Sequence, residues 1–347
     1  MSLGLDIGKY SIKLIELEKS NDNISIINSG SINIFDDLDT YDINKITKSQ
    51  IIACLQDLCS NLNIKPKKIK KLITSISGDL IDVRQVSMLD MPDKELISSL
   101  ELEAKKHTPL DGTDAIIDYH HLGKDANELD KINLILTTTT KNVISEHAEI
   151  LKGAGFKPSI FDTDPLALSN AYQFNNTLPD SGSDVIINIG HSTSTIVVWG
   201  KNSSFFSREI NISGHHITKA IMQEKNISYK KADQDKISEG TKAFQDVSKE
   251  GDSAINIEKR TIYNELIEEI RKTLRFYMKN NNQSFFNIFY LSGGCSGIYE
   301  IDKNIADSLN VKVEIINPFA NIKNDTILDN SPEYAVAVGL ALRGLKQ

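Results

Sequence analysis

Leu5-Asp6-Ile7-Gly8-Lys9-Tyr10-Ser11-Ile12 and Ile187-Asn188-Ile189-Gly190-His191-Ser192-Thr193-Ser194 share one pattern, half a chain apart. Each reads as an apolar strand, a glycine turn with small polar residues, and a second strand. Each also opens a run of three strands: Leu3 to Glu18 followed by Ile24 to Ile34, and Asp184 to Trp199 followed by Phe205 to Ile210. Two matching β-rich halves predict two lobes facing each other across a cleft.

A glycine hairpin turns successive backbone N–H groups toward an anion. Gly8 and Gly190 leave that approach open, and Ser11, Ser192 and Thr193 add hydroxyl donors. Two such hairpins, one per lobe, would hold a triphosphate between them. Asp6 stands where a carboxylate orients Mg²⁺ through its waters. One Asp-x-Gly turn is ordinary; two at equivalent places in a duplicated unit are a much more specific signal. Farther on, Leu291-Ser292-Gly293-Gly294-Cys295-Ser296 follows an apolar strand and precedes a helix. Paired glycines there let a flat ligand or a phosphate approach the backbone, although the stretch alone reads as a connecting turn.

Outward from these turns, Ser49 to Asn61 reads as a helix and Leu72 to Ser77 as a strand. The character changes after Gly78. Asp82 to Met88 reads as a strand, Pro92 opens a helix expected to run to about His107 with Pro109 stopping it, and Ile116 to Leu122 and Ile132 to Thr139 read as strands. Asn142 to Gly153 reads as a helix. In the second half, helices are expected at His216 to Lys225, Ile257 to Asn280 and Ile301 to Leu309, with a closing helix at Pro332 to Leu345. Phe286 to Leu291 and Val311 to Ile316 read as strands, and Lys230 to Asp252 is charged and weakly periodic. The expected division is a first lobe at 1–78, an inserted partner-binding unit at 79–160, a second lobe at 161–330 with a smaller part at about 214–275, and a closing segment at 331–347 that returns to the first lobe.

The 347 residues suit two domains. With Lys+Arg at 39 and Asp+Glu at 47, the net charge of −8 argues against broad nucleic-acid binding. The longest apolar stretch, Ala335 to Leu342, is far too short to span a bilayer. The opening residues lack the basic start of a signal peptide. Cys54, Cys59 and Cys295, an odd and sparse set, point to a reducing compartment, hence the cytoplasm. His120-His121 and His215-His216 have no acidic or cysteine partner at ligand spacing, so a bound metal is not expected there.

The turns, together with further stretches, resemble the PilM group of the actin-like ATPase superfamily, which is related to FtsA. The further stretches are Val83-Arg84, Met91-Pro92, Glu95-Leu96, Glu103-Ala104, Asp118-Tyr119, Ser207-Arg208-Glu209-Ile210, Asn317-Pro318-Phe319 and Tyr334 to Arg343. The resemblance runs nearly end to end. It implies an α/β, actin-like (ribonuclease-H-like) duplicated two-lobe fold with an FtsA-type inserted subdomain. It implies ATP and Mg²⁺ as cofactors, with Asp6, Gly8, Lys9, Tyr10 and Ser11 forming the first phosphate loop. Asn188, Gly190, His191, Ser192 and Thr193 would form the second, and Gly293, Gly294 and Cys295 would lie against the adenosine. Ala232 to Lys236 falls where relatives carry a nucleoside-holding helix, so Asp233 would face the ribose and Lys236 the base.

The resemblance further implies a type IV pilus assembly protein. Its partner would be the cytoplasmic N-terminal tail of PilN, which would hold it at the inner face of the inner membrane. The PilO/PilP complex, the assembly ATPase and self-association follow as further contacts. Val83, Arg84 and Glu95 are the candidate tail-binding residues by position. Two departures bear on activity. Asn188 replaces the usual aspartate, so Mg²⁺ handling should be weak and hydrolysis slow or absent. Asp233 replaces a glutamate and is one methylene shorter. No residue stands out as positioning an attacking water. The competing expectations are an active ATPase and a nucleotide-free peptide-binding module like GspL.

Overall fold

The computed structural model describes residues 1–21, 23–106, 114–125, 128–157, 160–244, 261–281, 283–323 and 331–346. Strands and helices are numbered in chain order. The first sheet holds β1 (Ser2–Ile7), β2 (Ser11–Ser20), β3 (Asn23–Asn33), β4 (Leu72–Ile76) and β8 (Ile160–Thr163), in the order β3-β2-β1-β4-β8. The second holds β9 (Ser183–Ile189), β10 (Ser194–Gly200), β11 (Ser203–Ile210), β12 (Phe286–Ser292) and β13 (Val313–Ile315), in the order β11-β10-β9-β12-β13. The two orders are the same sentence written twice. In each, the opening strand pairs antiparallel with the second and parallel with the fourth, and the fourth pairs parallel with the fifth. The register repeats as well, since Asp6 lies opposite Lys13 and Asn188 lies opposite Thr195.

Helices α1 (Lys48–Asn61) and α3 (Lys141–Gly153) cover the outer face of the first sheet through Leu55, Leu58, Ile150 and Leu151. Helices α5 (Gly214–Lys225), α7 (Ile262–Asn281) and α8 (Ile301–Leu309) cover the second through Ile217, Ile270 and Ile305. Two helices fill the space between the sheets: α4 (Asp164–Asn175) and α9 (Ala335–Leu345). Ala167, Leu168 and Tyr172 of α4 and Val336 and Leu340 of α9 share one core with Ile73 of β4 and Ile186 and Val197 of the second sheet. The packing is close enough to require glycine. A Cβ at Gly339 would overlap the carbonyl of Ala167, and one at Gly4 would overlap that of Ala337.

The third sheet, in the order β5-β7-β6, holds β5 (Asp82–Leu89), β6 (Ala115–Lys124) and β7 (Lys131–Thr140), with α2 (Asp93–Ala104) on one face through Leu96 and Leu100. Its β5 edge meets the second lobe, where the Phe205 N–H donates to Gln85 Oε1 at 2.7 Å and the Ser207 hydroxyl donates to the Val83 carbonyl at 2.9 Å.

Several elements differ from the expectation. Helix α2 ends at Ala104, short of His107. The last strand is shorter than expected, at Val313–Ile315. Strand β8 and helix α4 stand where no element is expected from the sequence. Helix α6 (Tyr229–Glu239) occupies the front of the weakly periodic charged stretch. Pro109, the start of the expected helix at Ile257 and the charged stretch beyond Phe244 lie outside the described residues.

Candidate functional site

The two glycine turns sit at the ends of their lobes and face each other. In each, the glycine N–H closes the turn: Gly8 donates to the Ser11 carbonyl at 3.2 Å and Gly190 to the Thr193 carbonyl at 3.0 Å. A Cβ would stand 2.9 Å from the Ser11 oxygen in one and 2.8 Å from the Thr193 oxygen in the other, so neither turn tolerates a side chain. Gly293, at φ +85°, closes the third side, and a Cβ there would fall 2.5 Å from the Ile189 oxygen and 2.7 Å from Asn188 Oδ1. These elements enclose a cavity of about 270 Å³. All fifteen residues expected at a nucleotide lie around it: Asp6, Gly8, Lys9, Tyr10, Ser11, Asn188, Gly190, His191, Ser192, Thr193, Asp233, Lys236, Gly293, Gly294 and Cys295.

The cavity also holds charged residues that the sequence reading did not assign: Lys13, Asp164 and Glu333. Lys13 Nζ stands 3.7 Å from Asp6 Oδ2, both side chains being largely buried. Burial raises the Asp6 carboxyl above the ordinary aspartate range, and the Lys13 ammonium opposes that rise. Asp164 opens α4, and Pro165 follows it in the first turn, where proline's missing N–H costs nothing. The Thr163 hydroxyl caps the helix by accepting the Leu166 N–H at 3.3 Å. Asp164 Oδ1 is buried without a hydrogen-bond partner. Desolvation first, and the Asp6 charge next, push its carboxyl well above the ordinary value. Burial likewise raises Glu333. Buried acids aimed into a glycine-walled cavity, with one cation between them, form a donor set that suits a hydrated divalent cation and a polyanion.

At the other end, Asp233 and Lys236 are not open to a ligand in this conformation. The buried Lys236 ammonium is bonded to the Asp233 carboxylate and to the Thr218 hydroxyl at 3.0 Å. The Thr218 hydroxyl also reaches Asp233 at 2.9 Å. A ribose reaching Asp233 must compete with its own neighbours. Cys295 is buried, with its thiol donating weakly to the Gly190 carbonyl at 3.6 Å. Burial raises the thiol's pKa, so it is held as a neutral thiol. Tyr10 is pushed up to about 12 by burial and then by the charge of Asp233 in the opposite lobe. His191 is depressed to about 2 by burial and then by Lys236, which keeps it neutral. Cys54 and Cys59 lie on α1 instead, away from the cleft.

A second cavity, of about 540 Å³, lies between β5 and β11. Val83 and Arg84 line it, with Phe206, Arg208 and Phe276 opposite. Arg84 is held by a bidentate pair with Asp82 at 2.6 Å. Glu95, on α2, is not brought to either cavity. The two cavities stand back to back: Ser77 and Asp164 line the first, and their neighbours Gly78 and Pro165 line the second. Among the described residues no helix is long and apolar enough to cross a membrane.

Solved structures share this architecture. The protein is similar over 100% of its length to 99% of a chain of a PilM-PilN type IV pilus biogenesis complex, at 22% identity and a TM-score of 0.81. It is similar to ethanolamine utilization protein EutJ from Carboxydothermus hydrogenoformans at 12% identity and a TM-score of 0.55, covering 98% of this chain and 89% of that one. MreB5 of Spiroplasma citri bound to AMPPNP matches at 13% identity and a TM-score of 0.50, covering 97% of this chain and 93% of that one. The doubled sheet and its inserted third sheet are thus the actin-like fold. The family described as type IV pilus assembly protein PilM matches residues 4–345, so the chain belongs to the PilM family.

Proposed function

We propose that the protein is a nucleotide-binding scaffold of the type IV pilus machine, with MgATP in the cleft and the cytoplasmic N-terminal tail of PilN on the inserted sheet. The observation that carries the first part is the pair of equivalent glycine turns meeting over Asp6, Lys13 and Asp164. The turns at Gly8 to Ser11 and Gly190 to Thr193 would hold the phosphates with their hydroxyls and with backbone N–H groups other than those of Gly8 and Gly190, which close the turns, while Asp6 and Asp164 would hold Mg²⁺ through water. When bound, the cation neutralises the charge that the phosphates and the two carboxyls would otherwise share. ATP acts as a conformational ligand: it favours the closed arrangement by as much as its affinities for open and closed states differ. In this reading the cleft lies between the two lobes and the tail docks on the inserted unit, β5 to β7 with α2, while α3 and β8 go with the first sheet they pack against.

The tail-binding part draws on the complex that the structurally similar PilM forms with PilN and on the second cavity, whose apolar Phe206 and Phe276 flank Val83 and Arg84. An extended tail there would share main-chain bonds and side-chain pockets, and would keep the protein at the inner face of the cytoplasmic membrane. The test is thermal unfolding with and without excess MgATP. A ligand at about 100 times its dissociation constant adds roughly 2.7 kcal/mol, so the wild type should melt higher and Asp6→Ala should not respond. No shift in the wild type would leave only the peptide-binding role. Fluorescence anisotropy with the labelled PilN tail tests that role, and Phe276→Ala should weaken binding while keeping the MgATP shift.

One observation favours hydrolysis as a second reading. Asp164 supplies a buried carboxyl where Asn188 lacks one. Phosphate release above background in the wild type, lost in Asp164→Asn, would establish it.

A further inference from the structure

We propose that residues 35–46 of the first lobe form a lid latched onto the second lobe, and that its release sets how fast a ligand enters and leaves the cleft. That the ligand is a nucleotide rests on the function proposed above; the lid does not. The segment joins β3 to α1. It is built from two short 3-10 turns, Leu38–Thr40 and Ile43–Lys45, each capped by an aspartate, Asp37 or Asp42. Such caps fix a loop that would otherwise hang free.

Tyr41 stands between the two turns and is buried. Its ring stacks on Tyr229 at 5.3 Å and 25°, and meets His191 edge-on at 4.9 Å and His215 at 5.5 Å. These partners come from three elements of the second lobe: the glycine turn, α5 and α6. The Tyr41 hydroxyl donates to the Lys9 carbonyl at 3.4 Å, so the lid also rests on the first turn. Asp39 makes the polar latch. Its Oδ1 accepts the Lys230 N–H at 2.9 Å, in the first turn of α6, where an acid also meets the positive end of the helix dipole. The same helix carries Asp233 and Lys236 into the cavity. On the inner side, Tyr10 tilts against His191 at 4.5 Å. The lid therefore closes the cleft over both turns and binds the helix at the nucleoside end.

Cys295 supplies a reporter already in place, because it lines the cavity and is buried. Buried Cys59 on α1 is the control for general loosening. The experiment is iodoacetamide labelling of the full chain without nucleotide, with each cysteine followed by peptide mass. When opening and closing are fast, labelling follows the open population. Tyr41→Ala removes three ring contacts with the second lobe and should raise the Cys295 rate about tenfold or more. Asp39→Ala should raise it as well. Tyr41→Phe keeps the stack and should stay near the wild type. Cys59 should be unchanged throughout. An unchanged Cys295 rate in both alanine variants overturns the lid. A parallel rise at Cys59 overturns it too, since the contact would then serve the whole fold. Adding MgATP separates the two readings: if it fails to protect Cys295 while the variants still differ, the nucleotide reading falls and the lid stands.

Discussion

Asp164→Asn should make the protein more stable without ligand and less responsive with it. The carboxyl is buried, one oxygen has no hydrogen-bond partner, and Asp6 and Glu209 place like charge nearby. Burial first, and the Asp6 charge next, hold its folded pKa well above the ordinary aspartate value, so the folded state binds the proton more tightly than the unfolded chain. Stability from this group is then complete below the ordinary aspartate range and is lost as pH rises through the higher folded value. An asparagine of the same shape cannot ionise, and its amide can donate to the neighbouring carboxylates. The variant should therefore be more stable than the wild type at pH 8 and little different at pH 4, which flattens the profile. Urea unfolding across that range measures it. If MgATP binds as proposed, the same variant should lose most of the thermal shift expected of the wild type, because the cation would lose one of its proposed acids. A variant no more stable than the wild type at pH 8, with the same pH slope, would refute the charge argument.

Two further outcomes follow from the geometry. Gly339→Ala should destabilise the fold by about 2 kcal/mol or more, because the overlap with Ala167 outweighs the roughly 1 kcal/mol that alanine gains in a helix; equilibrium unfolding within 0.5 kcal/mol of the wild type would show that α4 and α9 can part freely, an order-of-magnitude bound. Asn188→Asp should lower stability without metal at pH 8 more than at pH 5, and excess Mg²⁺ should restore it, as followed by melting temperature; a loss independent of pH and metal would place the added charge outside the cation's reach.

The duplication was legible because it repeats in chemistry as well as in pattern. The glycine turns, the strand alternation around them and the Gly293-Gly294 turn each left a local signal, and the structure gathers all of them at one cavity. Helix α4 left none of the usual kind. Pro165, Ala167, Leu168, Ser169, Ala171 and Tyr172 are all buried, because the helix lies between two sheets and against α9. A helix covered on every side has no polar face, so a 3.6-residue period is absent. Only its start was readable, in Thr163, Asp164 and Pro165. Missing the helix meant missing Asp164. Lys13 was hidden for a different reason: its approach to Asp6 depends on pairing register, which alternation alone does not number. Helix α6 was obscured by charge. Its Lys225–Asp235 and Lys231–Asp235 ion pairs and its buried Lys236 make a polar sequence into a packed element.

The two copies of the repeat have the same backbone and different electrostatics, and that difference assigns their parts. In the first copy, Asp6 faces Lys13 across the hairpin. In the second, the same register places neutral Asn188 opposite neutral Thr195, whose hydroxyl turns away to Glu209 at 2.8 Å. An aspartate at 188 would have no ammonium opposite it and would add a further charge to a cavity that already holds Asp6, Asp164 and Glu333. Without a cation, that arrangement is costly in a desolvated site. Asparagine removes the cost and keeps a polar atom at the turn. The second acid of the cleft comes instead from Asp164, at the head of the helix that packs on both sheets and on α9. A buried acid of the cleft is thus fixed to the central helix of the fold. A charge change there would bear on the helix that packs between the lobes, as the conformational role proposed for the ligand requires.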